Sequence, residues 1–257
     1  MLGKLLKYDL KWVYKIIVIY YGLALVFAII GRLLGCIDNS FIFDVISKIS
    51  CGVSVAMIFN ILINNIIRIW VRYIHNVYKD ESYLTHTLPV TKGEIYLSKV
   101  IATLITMFTS IVVSLISFFI CYWNDGLIDF IKMIYPEISW GIIITTGIVV
   151  ILELLFLLFL GLLAITIGYR SNHNKLLKSF VSGFVIYMIS SFVSLGVLFI
   201  IGLFNKDILD LFTSMNAVIG MDILKFLLIV AATIYLVYII LCNVISNKLL
   251  QKGVNVD

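Results

Sequence analysis

Apolar residues in this chain fall in long unbroken runs rather than in alternation. Six runs, at about residues 14–34, 45–67, 100–122, 138–168, 177–204 and 223–246, match or exceed the ~18–20 residues that cross a bilayer core as a helix. Continuous runs exclude a membrane β-barrel, whose strands alternate apolar and polar positions. The pattern therefore predicts an all-α integral membrane protein: six transmembrane helices forming a single transmembrane domain over residues 1–257. The first run follows Lys4, Lys7, Lys11 and Lys15, as a signal peptide would. It is too long for that role and no small-x-small cleavage site follows, so it reads as an uncleaved span.

The polar positions between the runs carry the remaining information. In MLGKLLKYDLKW, Leu2, Leu5, Leu6, Leu10 and Trp12 interleave with Lys4, Lys7 and Lys11. That spacing predicts an interfacial amphipathic helix over residues 1–13, leucines toward acyl chains and lysines toward anionic headgroups. Past the second run, Arg68, Arg72, His75 and Lys79 recur every three or four residues, one face of a helix. No Pro or Gly intervenes from Val53 to Thr87, so the second helix is expected to outrun the bilayer with a basic stripe that anchors to headgroups.

The segment KDESYLTHTLPVTKGEIYLSK, residues 79–99, is the most punctuated of the chain. Asp80 is a candidate N-cap and Glu81 suits the positive end of a helix dipole. Pro89 disfavours helix at Leu88, which leaves about two turns over 81–87. Thr91 and Glu94 then form a capping box that restarts the chain into the third span. Helix, stop and capped restart describe a lever rather than a passive linker.

Composition sharpens this picture. The chain has 62% hydrophobic and 13% charged residues, about half the charge share of soluble domains. Mean hydropathy is +1.13. Lysine and arginine are unevenly placed: Lys4, Lys7, Lys11, Lys15, Arg68, Arg72, Lys79, Lys92, Lys99, Arg170, Lys175, Lys178, Lys248 and Lys252 fall on one side, against Arg32, Lys48, Lys132, Lys206 and Lys225 on the other. The positive-inside rule then puts both termini and the 79–99 loop in the cytoplasm.

Inside the spans, Glu153 stands near the middle of the fourth run. An acid at that depth costs roughly 3 kcal/mol or more and marks a substrate contact, a proton-linked switch, or a hydrogen-bonded packing pin reaching Asn60 or Asn64. Thr103, Thr106, Ser110, Ser114, Ser117 and Cys121 recur at steps of three or four along the third span, and Ser47, Ser50, Ser54, Asn64 and Arg68 along the second. Such small hydroxyl stripes serve close helix packing or line a pathway. On the outer side, NDGLIDFIKMIYPE and NKDILDLFTSMNAVIGMD are weakly amphipathic, and the second has the pattern of short helices dipping back into the membrane. Cys36 and Cys121 fall near outer ends of spans, where the topology permits a bridge that spacing alone does not show. His75, His86 and His173 are scattered without Cys neighbours, so no metal site is expected. No phosphate-binding loop GxxxxGK[ST], serine nucleophile motif or paired acidic motif is present, and an enzyme ranks last. A secondary transporter or channel using Glu153 is the alternative, weakened by the lack of an inverted repeat or Pro-broken span pair.

ESYLTHTLPVTKGEIYLSK resembles the first cytoplasmic loop of the six-helix permease subunits of bacterial ABC exporters, the type-2 membrane family, with Glu81, Leu84, Leu88, Pro89, Val90, Thr91, Lys92, Ile95 and Lys99 at the matching positions. The resemblance implies that the short helix is a coupling helix docking on an ATPase subunit through Asp80, Glu81, Ser82, Tyr83, Leu84, Thr85, His86, Leu88 and Pro89. It implies a non-enzymatic chain in a bacterial plasma membrane, paired as homodimer or heterodimer and served by two ATPase copies that bind ATP and Mg. This chain itself is expected to need no cofactor and to bind no nucleic acid. The expected cargo is an amphipathic peptide, toxin or drug, with Asn60, Asn64, Glu153, Thr106, Ser110 and Ser114 as pathway or packing candidates.

Overall fold

The computed structural model describes residues 2–37, 41–79, 81–122, 133, 140–171, 173–205, 208–209 and 220–253, without the side chain of His86. Those residues build α1 (Leu2–Gly35), α2 (Phe41–Val77), α3 (Ser82–Thr87), α4 (Lys92–Tyr122), α5 (Trp140–Gly168), α6 (Lys175–Phe204) and α7 (Met221–Gln251). All but α3 are long and apolar enough to cross a membrane, so the chain is a multi-pass helical membrane protein with six candidate spans. Each of the six apolar runs lies on one of these helices. The segment 124–137 lies almost wholly outside the described residues, as does most of 205–222.

The helices pack as two compact units, α1–α4 in one and α5–α7 in the other. In the first, α1, α2 and α4 each pack on the other two, and α3 sits against α2. The tightest seam joins α1 and α2. Ala24, Ala28 and Gly31 of α1 are buried, as are Cys51 and Ser54 of α2. A Cβ on Gly31 would stand 2.5 Å from the Cys51 Sγ and 3.2 Å from the Cys51 backbone nitrogen, so only glycine permits this approach. Ser47 and Ser54 reach across it, donating to the carbonyls of Gly31 (2.7 Å) and Ala24 (2.9 Å). Lipid tails are as apolar as the side chains, so close backbone approach and interhelical hydrogen bonds supply the cohesion here.

In the second unit α5 packs on both α6 and α7, which barely touch one another. Buried residues concentrate in the last turns of α5, from Phe156 to Gly168. Gly168 faces the backbone of Ser179 so closely that no Cβ fits. The connection enters α6 through Asn174 at φ 52°, the left-handed region that asparagine tolerates better than most side chains. Along α6, Phe180, Phe184 and Phe192 are exposed, an apolar flank without a partner among the described residues of this unit.

Residues 2–13 form the first turns of α1 rather than a helix of their own, because nothing between Gly3 and Gly22 interrupts helical hydrogen bonding. All four cysteines are free, so the bridge that the topology permits between Cys36 and Cys121 is not formed.

Candidate functional site

The polar chemistry of the first unit gathers where α1, α2 and α4 meet the short helix α3. Asp9 is 2% exposed and is the acceptor at the centre. Its Oδ1 accepts from Lys99 Nζ at 2.6 Å and Arg72 Nε at 3.0 Å, and its Oδ2 accepts from Ser98 Oγ at 3.0 Å. Arg72 also donates through Nη1 to Glu81 Oε2 at 2.6 Å, and Asn76 Nδ2 donates to the same oxygen at 3.1 Å. One guanidinium therefore ties the first helix to the residue that opens α3. Trp12 lies beneath it, with Arg68 and Arg72 guanidinium carbons 5.1 and 5.7 Å from its ring centroid, in cation–π range.

Backbone geometry fixes α3 from both ends. The Glu81 N–H donates to the carbonyl of His75, and the Ser82 N–H to that of Lys79, folding the chain back on the end of α2. Tyr73 and Tyr78, both buried, meet edge to face at 5.7 Å beside this turn. Leu88 is extended at ψ 143°, as required before Pro89, and ends the helix. The capping box forms as expected: Thr91 N–H donates to Glu94 Oε2 at 2.8 Å, and Glu94 N–H to Thr91 Oγ1 at 3.2 Å. These bonds from Thr91 hold the Glu94 carboxyl below its ordinary range.

The residues expected to dock separate into two faces. Tyr83, Leu84 and Leu88 are exposed, at 66%, 73% and 41%, and Pro89 is exposed beside them. Ser82 and Thr85 instead turn inward and are buried, Thr85 donating to the Glu81 carbonyl. Asp80 and the side chain of His86 lie outside the described residues. The N-cap position belongs to Glu81, whose carboxylate makes no cap bond and pairs with Arg72 instead. Arg72 is likewise not a headgroup anchor: it is buried and paired with two carboxylates.

Asp9, Asn76 and Ser98 were missed as site residues. Asp9 did carry a signal: it sits four residues from both Leu5 and Val13, on the apolar side of the helix. An acid there, among lysines on the other side, needs a buried partner.

Deeper in the same unit the α4 stripe is a packing surface. Thr103, Thr106, Ser110, Ser114 and Ser117 are all buried. Ser110 hydrogen-bonds the Tyr21 hydroxyl at 2.8 Å and accepts from Asn65 Nδ2 at 3.0 Å, while Thr109 meets Tyr14 at 2.8 Å. Asn60 and Asn64 turn back on their own helix, donating to the carbonyls of Ala56 and Asn60. Glu153 is exposed on α5 and pairs with no cation among the described residues. Comparison with protein-family models, curated proteins and solved structures finds no match to this chain.

Proposed function

We propose that this chain is the permease subunit of an ATP-driven ABC exporter for an amphipathic peptide, toxin or drug, with a separate ATPase docking on α3. One observation carries the reading: α3 offers Tyr83, Leu84 and Leu88 outward while Glu81 at its root is joined through Arg72 and Asp9 to α1, α2 and α4. A push on the apolar face of such a helix moves three spans together, which is what coupling to an external motor requires. The uneven placement of lysine and arginine supports a cytoplasmic α3 and cytoplasmic termini.

The test is association. The full chain, purified from its native host, co-purifies with an ATPase, and Tyr83→Ala with Leu84→Ala weakens that association by about tenfold or more, as loss of two apolar anchors does. Undiminished association of a folded variant overturns the reading. So does transport that survives ATP depletion yet collapses with an uncoupler, the signature of the Glu153 alternative.

A further inference from the structure

Two thiols meet at the end of the first unit remote from α3. Cys51 of α2 is buried in the seam with α1, its Sγ where a Cβ on Gly31 would stand 2.5 Å away. The same thiol is in hydrogen-bond contact with the thiol of Cys121, in the last turn of α4. Tyr122 lies within electrostatic range of both sulfurs, and Arg32 within range of Cys51. Both cysteines are free, and Cys121 is half-buried where Cys51 is buried, so a small solute reaches Cys121 first. An accessible thiol touching a shielded one is the arrangement in which oxidation of the first is resolved by the second. Cys51 stands 21 residues before Arg72 on α2, and Cys121 stands 22 residues after Lys99 on α4. At the helical rise both thiols are roughly 30 Å from the Asp9 cluster.

We propose that Cys51 and Cys121 form a peroxide-responsive dithiol, whose oxidation to a disulfide locks α2 to α4 at the end remote from the Asp9 cluster. The oxidant is hydrogen peroxide. The Cys121 sulfur attacks it: an S–O bond forms, the O–O bond breaks, and the leaving hydroxide takes the thiol proton as water. The Cys51 sulfur then attacks the Cys121 sulfur of that sulfenic acid: the S–S bond forms, the S–O bond breaks, and the hydroxyl leaves with the Cys51 proton as a second water. Two thiols lose two electrons and one peroxide gains them. The cluster of Asp9, Arg72 and Lys99 already ties α1, α2 and α4 together at the other end. The oxidised unit is therefore pinned at both ends, and the reduced unit at one. The proposal needs only the packing of the first unit and is independent of the exporter reading, so absence of an ATPase partner leaves it standing.

The test uses the full-length chain, purified reduced in detergent, treated with hydrogen peroxide and then denatured for maleimide counting and peptide mapping. Reactive thiols fall from four to two, mapping joins the Cys51 and Cys121 segments, and dithiothreitol restores all four. The oxidised chain melts at a higher temperature than the reduced one. Cys36→Ser and Cys242→Ser behave like the parent. Cys121→Ser and Cys51→Ala form no bridge and melt alike with and without peroxide, and Cys51→Ala leaves a sulfenic acid at Cys121 that dimedone traps. Cys121→Ser alters a half-buried position and spares the α1–α2 seam, so it decides the matter even where Cys51→Ala fails to fold. Four reactive thiols after peroxide overturn the proposal, as do a bridge that survives Cys121→Ser, a bridge that requires Cys36, and covalent joining of two copies. Equal melting of the oxidised and reduced parent overturns the lock.

Discussion

The carboxylate of Asp9 is shared by Lys99 and Arg72, both of which are themselves buried. Withdrawing a buried ion from water costs several kcal/mol, repaid only while every partner stays in place. Removing one member therefore costs more than the pair is worth. Asp9→Asn leaves two buried cations without their shared anion and is expected to lower stability by about 3–5 kcal/mol. Lys48→Ala breaks an ion pair of similar length, 2.8 Å to Asp44, but with side chains 75% and 55% exposed. That change is expected to cost under about 1 kcal/mol. Thermal unfolding of the two variants in one detergent checks the contrast, and equal shifts would contradict the buried-cluster account. Arg72→Lys should behave like a loss, because an ammonium cannot hold the Nε and Nη1 geometry that joins Asp9 to Glu81.

At the level of elements, cohesion depends on where backbones touch. Gly22 and Gly31 lie on the same helix, but a Cβ on Gly22 meets nothing within 4 Å, whereas one on Gly31 strikes Cys51. Gly22→Ala should be neutral or stabilise by up to about 1 kcal/mol through helix propensity. Gly31→Ala should destabilise by about 1–3 kcal/mol through overpacking, and thermal melts of the pair decide it. The same distinction governs what the sequence made legible. Features set by neighbours in the chain could be read there: six apolar runs, the stop before Pro89, the Thr91–Glu94 box, the continuation of α2 past its apolar run. The ion cluster could not, because its bonds join residues 63, 89 and 90 positions apart, and spacing says nothing about which helix faces which. Glu81 illustrates the conflict directly. Its local role was at a helix start, but the Arg72 guanidinium, nine residues back on α2, offered a stronger partner than the dipole.

Over the whole molecule, the orientation of the six helices decides whether α3 can meet a cytoplasmic partner at all. The lysine and arginine distribution predicts that Cys36, just past α1, faces outward and that the α3–α4 connection faces the cytoplasm. Cys36 is free and exposed, while Cys121 is half-buried and Cys51 and Cys242 are buried, so Cys36 is the natural probe of that orientation. In intact cells a membrane-impermeant maleimide should label a chain whose only cysteine is Cys36. A cysteine-free chain carrying Thr91→Cys should label only after permeabilisation, since Thr91 is exposed at the start of α4. The two positions lie at opposite ends of the α2 rod, whose 37 residues span about 55 Å, more than the ~40–45 Å of a full bilayer. Both cannot react from one side unless α2 fails to cross. Labelling of Thr91→Cys in intact cells, with Cys36 protected until permeabilisation, would invert the topology, place α3 outside and remove any cytoplasmic motor from the account.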